Sequence, residues 1–126
     1  MEKSQKKLKI LVVDDERGWQ ELLLLELASE DRDVKTASNG AEALALLHEE
    51  QFDLLISDVR MPGGLDGIDW IQIYRRENPT QKAIFITAYA VEEKIVQALQ
   101  QGFSICLRKP FESQQLFNAI ESLLAV

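Results

Sequence analysis

The sequence is poor in the residues that form covalent cross-links and transition-metal sites. Its 126 residues include one cysteine, Cys106, and one histidine. A single cysteine excludes an internal disulfide and is typical of a protein from a reducing compartment. Zinc sites built from cysteine and histidine need several such ligands close together, so this class of metal site is not expected.

Long apolar runs and an excess of positive charge are also lacking. The apolar runs are far shorter than the roughly 18 residues of a membrane helix, and the basic start MEKSQKKLK has no signal-peptide core. Fourteen Lys and Arg residues against 21 Asp and Glu give a net charge of −7, which argues against nucleic-acid binding. We expect a soluble cytoplasmic chain with a short tail over residues 1–8 and one folded domain over residues 9–126.

Short apolar segments alternate with helix-type segments five times. The predicted strands are 9–13, 34–38, 54–57, 83–87 and 105–108, and the predicted helices are 17–30, 41–50, 68–77, 91–101 and 113–125. This alternation predicts an α/β fold with one doubly wound parallel sheet and helices on both faces. Capping residues support the helix boundaries, with SNG at 38–40 before the second helix, Gly102 after the fourth and Ser113 at the start of the last.

Polar residues follow four of the predicted strand ends. Asp14 and Asp15 come after the first strand, Asp58 after the third, Thr87 at the end of the fourth and Lys109 after the fifth. Because the carboxyl ends of parallel strands meet at one edge, where doubly wound sheets bind ligands, these side chains are expected to converge. Taken singly, each residue also fits an ordinary role as a solvated strand end, a turn or a cap.

Three adjacent carboxylates repel one another unless a positive charge compensates them. Oxygen ligands in a small site suit Mg²⁺, and Lys109 with Thr87 would add an ammonium and a hydroxyl group. This combination indicates phosphoryl transfer, in which an aspartate can act as the nucleophile. The sequence has no Gly-x-x-x-x-Gly-Lys loop, so ATP is not the evident phosphoryl donor.

Five motifs in order along the chain resemble the receiver domain of two-component response regulators, the CheY-like family. They are VVDDE at 12–16, LLISDVRMP at 54–62, DG at 66–67, ITAYA at 86–90 and KPF at 109–111. The resemblance implies a flavodoxin-like (βα)5 sheet with strand order 2-1-3-4-5. It also implies a regulatory domain that promotes its own phosphotransfer and slow dephosphorylation, rather than an enzyme with a separate substrate.

The resemblance assigns the phosphoryl chemistry to three residues. Asp58 would accept the phosphoryl group from the phosphohistidine of a histidine kinase or a histidine phosphotransfer protein, and the interaction face would switch in response. Lys109 would contact the phosphoryl group and pair with Asp58 beforehand, while Thr87 would hydrogen-bond a phosphoryl oxygen. The Lys109–Pro110 bond resembles the cis peptide of the family.

The resemblance also implies a Mg²⁺ site. Asp15 would bind the ion directly and Asp14 through water, and Asp58 and the backbone carbonyl of Arg60 would complete the protein ligands. No cofactor other than Mg²⁺ is implied.

The sequence departs from the family pattern at four places. Cys106 stands where the family often has Tyr or Phe, and Tyr89 is a partial substitute. FSI at 103–105 replaces a small, acidic segment, and MPGGLDG at 61–67 is one residue longer than usual. Arg60 and Tyr89 occupy positions whose side chains can cover the phosphoryl group, so we expect a modified phosphoryl lifetime.

Two other functions remain open from the sequence. A haloacid-dehalogenase-like phosphatase uses similar groups, but its nucleophile follows the first strand with a second Asp two positions later, whereas Asp14 is followed by Asp15 and Glu16. A degenerate receiver would serve only as a docking module. The sequence does not identify the kinase, the downstream protein or the output domain. It also does not distinguish a stand-alone regulator from part of a longer protein. A phosphorylation-linked homodimer through the last two helices is also left open.

The first predicted helix carries the run Leu22-Leu23-Leu24-Leu25. At 100° per residue, Leu25 lies about 200° from Leu23, so both cannot face the sheet. Leu25 is either a singly exposed leucine or part of an apolar patch for the helical bundle of a kinase. Trp19 and Trp70 are expected to pack on helix faces.

Overall fold

The computed structural model describes residues 7–61, 63–88 and 93–124. Its strands are β1 (Leu8–Val13), β2 (Arg32–Ala37), β3 (Leu54–Asp58), β4 (Lys82–Thr87) and β5 (Ser104–Arg108). Its helices are α1 (Arg17–Leu27), α2 (Gly40–Glu49), α3 (Gly67–Arg75), α4 (Glu93–Gln100) and α5 (Ser113–Leu124). All strand pairs are parallel, in the order β2-β1-β3-β4-β5, so the predicted α/β class and strand order 2-1-3-4-5 are confirmed.

Two apolar layers hold the sheet between the helices. Ile10 and Val12 of β1 pack with α1 and α5, whereas Leu11 and Val13 pack with α2, α3 and α4. Alternate residues of one strand therefore serve opposite layers, as the period of a strand requires. Because helices cover both faces of β1 and β3, the residues that follow these strands are the ones that can reach the surface of the domain.

The leucine run of α1 divides as its helical spacing predicts. Leu23 is 1% exposed and packs in the core, while Leu25 is 78% exposed and Leu22 is 43% exposed. Helix α1 ends at Leu27 rather than at residue 30, because Ala28 adopts an extended ψ of 129°. The exposed leucines lie on a helix that leads away from the Asp14-Asp15 edge.

The cap predictions have mixed outcomes. The side chain of Asn39 accepts a hydrogen bond from the N–H of Glu42, which confirms the predicted cap of α2. Gly102 has a φ of +90° after α4, which favours glycine at this helix end. The predicted cap at Ser113 is wrong: Ser113 is already helical, and its hydroxyl instead donates to the carboxylate of Glu26 on α1.

The register of the strands brings their carboxyl ends to one edge. Val13 pairs with Ser57, Asp58 with Ile86 and Thr87 with Arg108. The residues that follow β1, β3 and β5 therefore share this edge. Among the described residues, no helix is long and apolar enough to cross a membrane.

Candidate functional site

Three carboxylates meet at the carboxyl edge of the sheet. Asp14, Asp15 and Asp58 each place one oxygen so that all three oxygens lie within 4.8 Å of one another. Asp14 and Asp58 are buried, and Asp15 is exposed. An oxygen-only cluster of this size suits a hard divalent cation such as Mg²⁺, and the exposed carboxylate leaves one side open to solvent.

The backbone around β1 fixes Asp14 in this cluster. The N–H of Glu16 donates to Asp14 Oδ1 at 2.9 Å, and the Asp14 N–H donates to the Ala37 carbonyl at 3.1 Å. The side chain of Gln20 on α1 donates to the Asp14 carbonyl at 2.6 Å. Asp14 is thus held by the start of α1 and the end of β2.

Lys109 supplies the positive charge of the site. Its Nζ lies 3.3 Å from Asp14 Oδ2, 3.7 Å from Asp58 Oδ2 and 3.9 Å from Glu16 Oε1, and its side chain is 9% exposed. The Lys109 N–H donates to the carbonyl of Thr87 at 2.8 Å. The ammonium pairs with Asp58, as expected from the family, but it lies closer to Asp14.

Burial raises the pKa of Asp58 to about 6. The charge of Asp14 is a second, smaller cause of this raised value, and Lys109 partly offsets the two effects. Burial also raises the pKa of Asp14. The raised pKa values of both carboxylates show that the effect of their burial outweighs the stabilising contacts with Lys109 and the backbone.

The remaining predicted residues lie around the same edge. Thr87 is buried at the end of β4, and Lys109 and Pro110 are joined by a cis peptide bond. Arg60 lines a cavity of about 400 Å³ together with Asp58 and Lys109. Tyr89 lies outside the described residues.

Cys106 lies apart from the acidic cluster, on β5. It pairs with Phe85 of β4 and is half-buried against the layer under α2, α3 and α4. Burial raises the pKa of its thiol, so the neutral form is favoured. Cys106 is therefore a partly buried residue of β5.

A support beneath Asp58 connects it to α3. Trp70 Nε1 donates to Ser57 Oγ at 3.0 Å, and this hydroxyl donates to the carbonyl of Asp58 at 2.9 Å. Trp70 is fully buried, which agrees with its predicted packing role. The N–H of Gly67 donates to the Val59 carbonyl at 2.8 Å, so the start of α3 touches the segment that follows Asp58.

Trp19 belongs to the site, although its spacing predicted only packing on a helix face. Its ring centroid lies 4.4 Å from Lys109 Nζ, and it lines the cavity beside Asp15 and Asp58. Trp19 follows Asp15 by four residues and lies in the first turn of α1, so it stays at the end of the sheet where the acidic pair lies. That interval is the signal in the sequence that could have identified it.

Comparisons with known proteins agree with this geometry. A family model described as the response regulator receiver domain matches residues 10–121. The chain is 39% identical over 121 residues to the transcriptional regulatory protein GlrR of Escherichia coli strain K12, across 96% of this chain and 27% of that protein. It therefore spans only about a quarter of the length of GlrR.

Two further comparisons cover nearly whole proteins. The chain is 41% identical over 114 residues to an uncharacterized 14.6 kDa protein of Leptolyngbya boryana, across 89% of this chain and 86% of that protein. The chemotaxis protein CheY4 of Vibrio cholerae has a similar structure, with a TM-score of 0.84, 28% identity, and coverage of 94% of this chain and 99% of that one.

Proposed function

Because this chain belongs to the response regulator receiver domain family, we propose that Asp58 accepts a phosphoryl group and so switches an interaction surface. The donor would be the phosphohistidine of a histidine kinase or a histidine phosphotransfer protein. The observation that carries this proposal is the position of Asp58, which is buried beside the Asp14-Asp15 pair and lies 3.7 Å from the Lys109 ammonium. The receiver unit would comprise residues 9–126 and act in the cytoplasm.

In the proposed reaction, a carboxylate oxygen of Asp58 attacks the phosphorus atom and forms an acyl phosphate. The bond between phosphorus and the histidine nitrogen breaks, and its electron pair stays on the ring. The ring leaves as neutral imidazole when its other nitrogen carries a proton. The attacking carboxylate must be ionised, and a pKa of about 6 leaves Asp58 mostly ionised at neutral pH.

The charged and polar residues of the site would stabilise the transferring group. Lys109 would contact a phosphoryl oxygen, and Thr87 would donate a hydrogen bond to another. Positioning and charge neutralisation of this kind account for most of the catalysis of phosphoryl transfer. Lys109 Nζ already lies between the two buried carboxylates, so a short movement of its side chain would bring it to the new group.

The acidic cluster fits Mg²⁺. Asp14, Asp15 and Asp58 would hold it together with the backbone carbonyl of Arg60, Asp14 acting through water. When bound, the ion would neutralise charge on the phosphoryl oxygens. The fit rests on three carboxylate oxygens within 4.8 Å of one another.

Four further residues would modulate the switch. Arg60 lines the cavity over Asp58, where it would limit the access of water and change the lifetime of the acyl phosphate. Tyr89, two residues after Thr87 in the sequence, would cover the phosphoryl group in the same way. Cys106 and Pro110 would influence how β5 and the Lys109 segment respond.

A small acyl phosphate donor tests the proposal without the kinase. The protein is incubated with the donor and Mg²⁺, and its intact mass is followed over time. We expect one added phosphoryl group, which decays slowly and is abolished by Asp58→Asn. Rapid turnover of the donor that depends on Asp14 rather than Asp58 would indicate a phosphatase. The absence of any adduct would leave a docking module.

A further inference from the structure

We propose that Trp19 is a positioning residue for the phosphoryl transfer, because its indole face holds the Lys109 ammonium beside Asp14 and Asp58. The inference rests on the proposed function and adds to it a residue of α1. The juxtaposition that carries it is the Lys109 Nζ at 4.4 Å from the centroid of the Trp19 ring.

Four groups lie around the ammonium of Lys109. They are the carboxylates of Asp14, Asp58 and Glu16, at 3.3 Å, 3.7 Å and 3.9 Å, and the indole of Trp19, whose centroid is 4.4 Å away. A lysine side chain has four rotatable bonds, so an ammonium held only by its charge partners would sample several positions. A cation against an aromatic face is attracted most strongly when it is shielded from water, and the Lys109 side chain is 9% exposed.

The ring of Trp19 is itself held in place from α5 and the loop before it. Its centroid lies 5.7 Å from that of Phe111, with an angle of 34° between the rings. The hydroxyl of Ser113 donates to the carboxylate of Glu26, which joins the start of α5 to α1. The two aromatic rings and this hydrogen bond therefore fix the distance between α1 and the Lys109 segment.

The alternative is that Trp19 only covers Phe111 and fills space. A branched aliphatic side chain would then serve as well, and removal of the Lys109 charge would not affect the indole. The two interpretations differ in whether the aromatic face itself matters, and both of the following measurements address that difference.

The first measurement uses intrinsic fluorescence and needs no phosphoryl donor. The chain has two tryptophans, Trp19 and the buried Trp70. We expect Lys109→Met to change the emission of the otherwise unaltered protein, because the cation leaves the indole face. The same substitution in a Trp19→Phe background should leave the emission unchanged, since only Trp70 remains. Equal changes in both backgrounds would overturn the contact.

The second measurement compares Trp19→Phe with Trp19→Leu in the acyl phosphate assay at excess Mg²⁺. Phenylalanine keeps an aromatic face and leucine does not, so we expect Trp19→Leu to form the adduct roughly 2- to 30-fold more slowly than Trp19→Phe. Phe117→Leu is the matched control, because its ring lies 5.2 Å from the Arg32 guanidinium, at the far end of the sheet, and it should react at the normal rate.

The outcomes separate this inference from the proposed function. If the unaltered protein forms the adduct but Trp19→Leu reacts as fast as Trp19→Phe, the role of Trp19 is overturned and phosphoryl transfer stands. If the unaltered protein forms no adduct, the proposed function fails and the role of Trp19 falls with it. Thermal unfolding shows whether each variant is folded, and the fluorescence comparison does not depend on Trp19→Leu.

Discussion

Gly67 approaches the backbone carbonyl of Asp58 so closely that a Cβ on Gly67 would lie 2.1 Å from that oxygen. It would also lie 2.9 Å from the hydroxyl of Ser57, which hydrogen-bonds the same carbonyl. The first residue of α3 therefore rests directly on the backbone of the proposed phosphoacceptor. Asp66 and Gly67 form the DG motif at 66–67, and the structure explains both of them. Asp66 caps α3, and Gly67 leaves room for the backbone of Asp58.

Gly67→Ala should displace the Asp58 segment and destabilise the fold. The atom closest to the added methyl group belongs to the backbone, so rotation of a flexible side chain cannot relieve the clash. We expect a loss of roughly 1–3 kcal/mol in the free energy of unfolding, measured by urea denaturation, and slower adduct formation at Asp58.

Gly18→Ala is the matched control. Gly18 lies in the first turn of α1, and nothing lies within 4 Å of an added Cβ. Alanine favours the helix over glycine by up to about 1 kcal/mol, so this variant should be as stable as the original or more stable. Equal destabilisation by both substitutions would show that the contact with Asp58 is not the cause.

The sheet was predictable because its information is local. The four apolar residues before Asp14 predict a buried strand, and the alternation with five helix-type segments predicts the order of the elements along the chain. The predicted strand ends then indicate where the acidic pair lies. Contacts between distant elements were not predictable in this way. Arg75, for example, is 6% exposed and donates to the carbonyls of Gln81 and Phe103 and to Ser104 Oγ, which joins α3 to β4 and β5.

For two side chains, the sequence predicted a role within one helix, whereas the structure shows a contact with a distant element. Ser113 at the start of a helix is a typical cap, yet its hydroxyl donates to Glu26, a partner 87 residues away. Trp19 fitted the apolar face of α1, and its contact with Lys109 depends on how α1 and the end of β5 are brought together. Such pairings depend on the distance between elements, which residue spacing within one element does not determine.

Without metal, the stability of the fold should decrease as the pH rises from about 4 to about 6. The pKa of Asp58 is about 6 in the folded protein, because of burial and the charge of Asp14, against an ordinary value of 3.8. Within this interval the folded state retains a proton that the unfolded chain has lost, so a higher pH favours unfolding. The effect of Asp58 is on the order of 2–3 kcal/mol, measured by urea denaturation in a chelator.

Asp58→Asn and added Mg²⁺ check this account independently. The amide has no charge to bury, so the variant should be more stable than the original protein at pH 7.5 in a chelator, and its pH dependence should be weaker. Mg²⁺ should raise the melting temperature of the original protein, and Asp15→Asn should weaken that effect. If Mg²⁺ leaves the melting temperature unchanged, the acidic cluster is not a metal site.

Lys94 should stabilise the start of α3 near neutral pH, and acid should remove this stabilisation. Its Nζ lies 2.8 Å from both Asp66 Oδ2 and Asp69 Oδ1. Burial alone would raise the pKa of Asp66, but the hydrogen bonds from Lys94 and from the Asp69 N–H hold this pKa below its usual range. Their contribution is therefore present above about pH 4 and is lost as the pH falls through the lowered pKa.

Three variants distinguish the contribution of the ion pair from that of the helix cap. Lys94→Met should weaken the acid dependence by less than about 1 kcal/mol, since Lys94 is partly exposed. Asp66→Asn keeps an acceptor for the Asp69 N–H and removes the charge, so it should match Lys94→Met in urea denaturation between pH 2.5 and 6. A third variant, Asp66→Ala, removes this acceptor as well, and a much larger loss for Asp66→Ala than for Asp66→Asn would assign the effect to the cap instead.

Leu25 offers a test of how a kinase would recognise the domain. Its side chain is 78% exposed on α1, on the helix that also carries the partly exposed Leu22, whereas Leu23 is buried. Leu25→Glu should therefore leave both the melting temperature and the reaction with an acyl phosphate unchanged. If α1 contacts the helical bundle of the cognate kinase, the same variant should slow phosphotransfer from that kinase at least severalfold, because a charge would be buried in an apolar interface.

Val96→Glu on α4, where Val96 is 40% exposed, is the matched control and should accept the phosphoryl group at the normal rate. Normal transfer to Leu25→Glu would show that the exposed leucine is not part of the kinase contact.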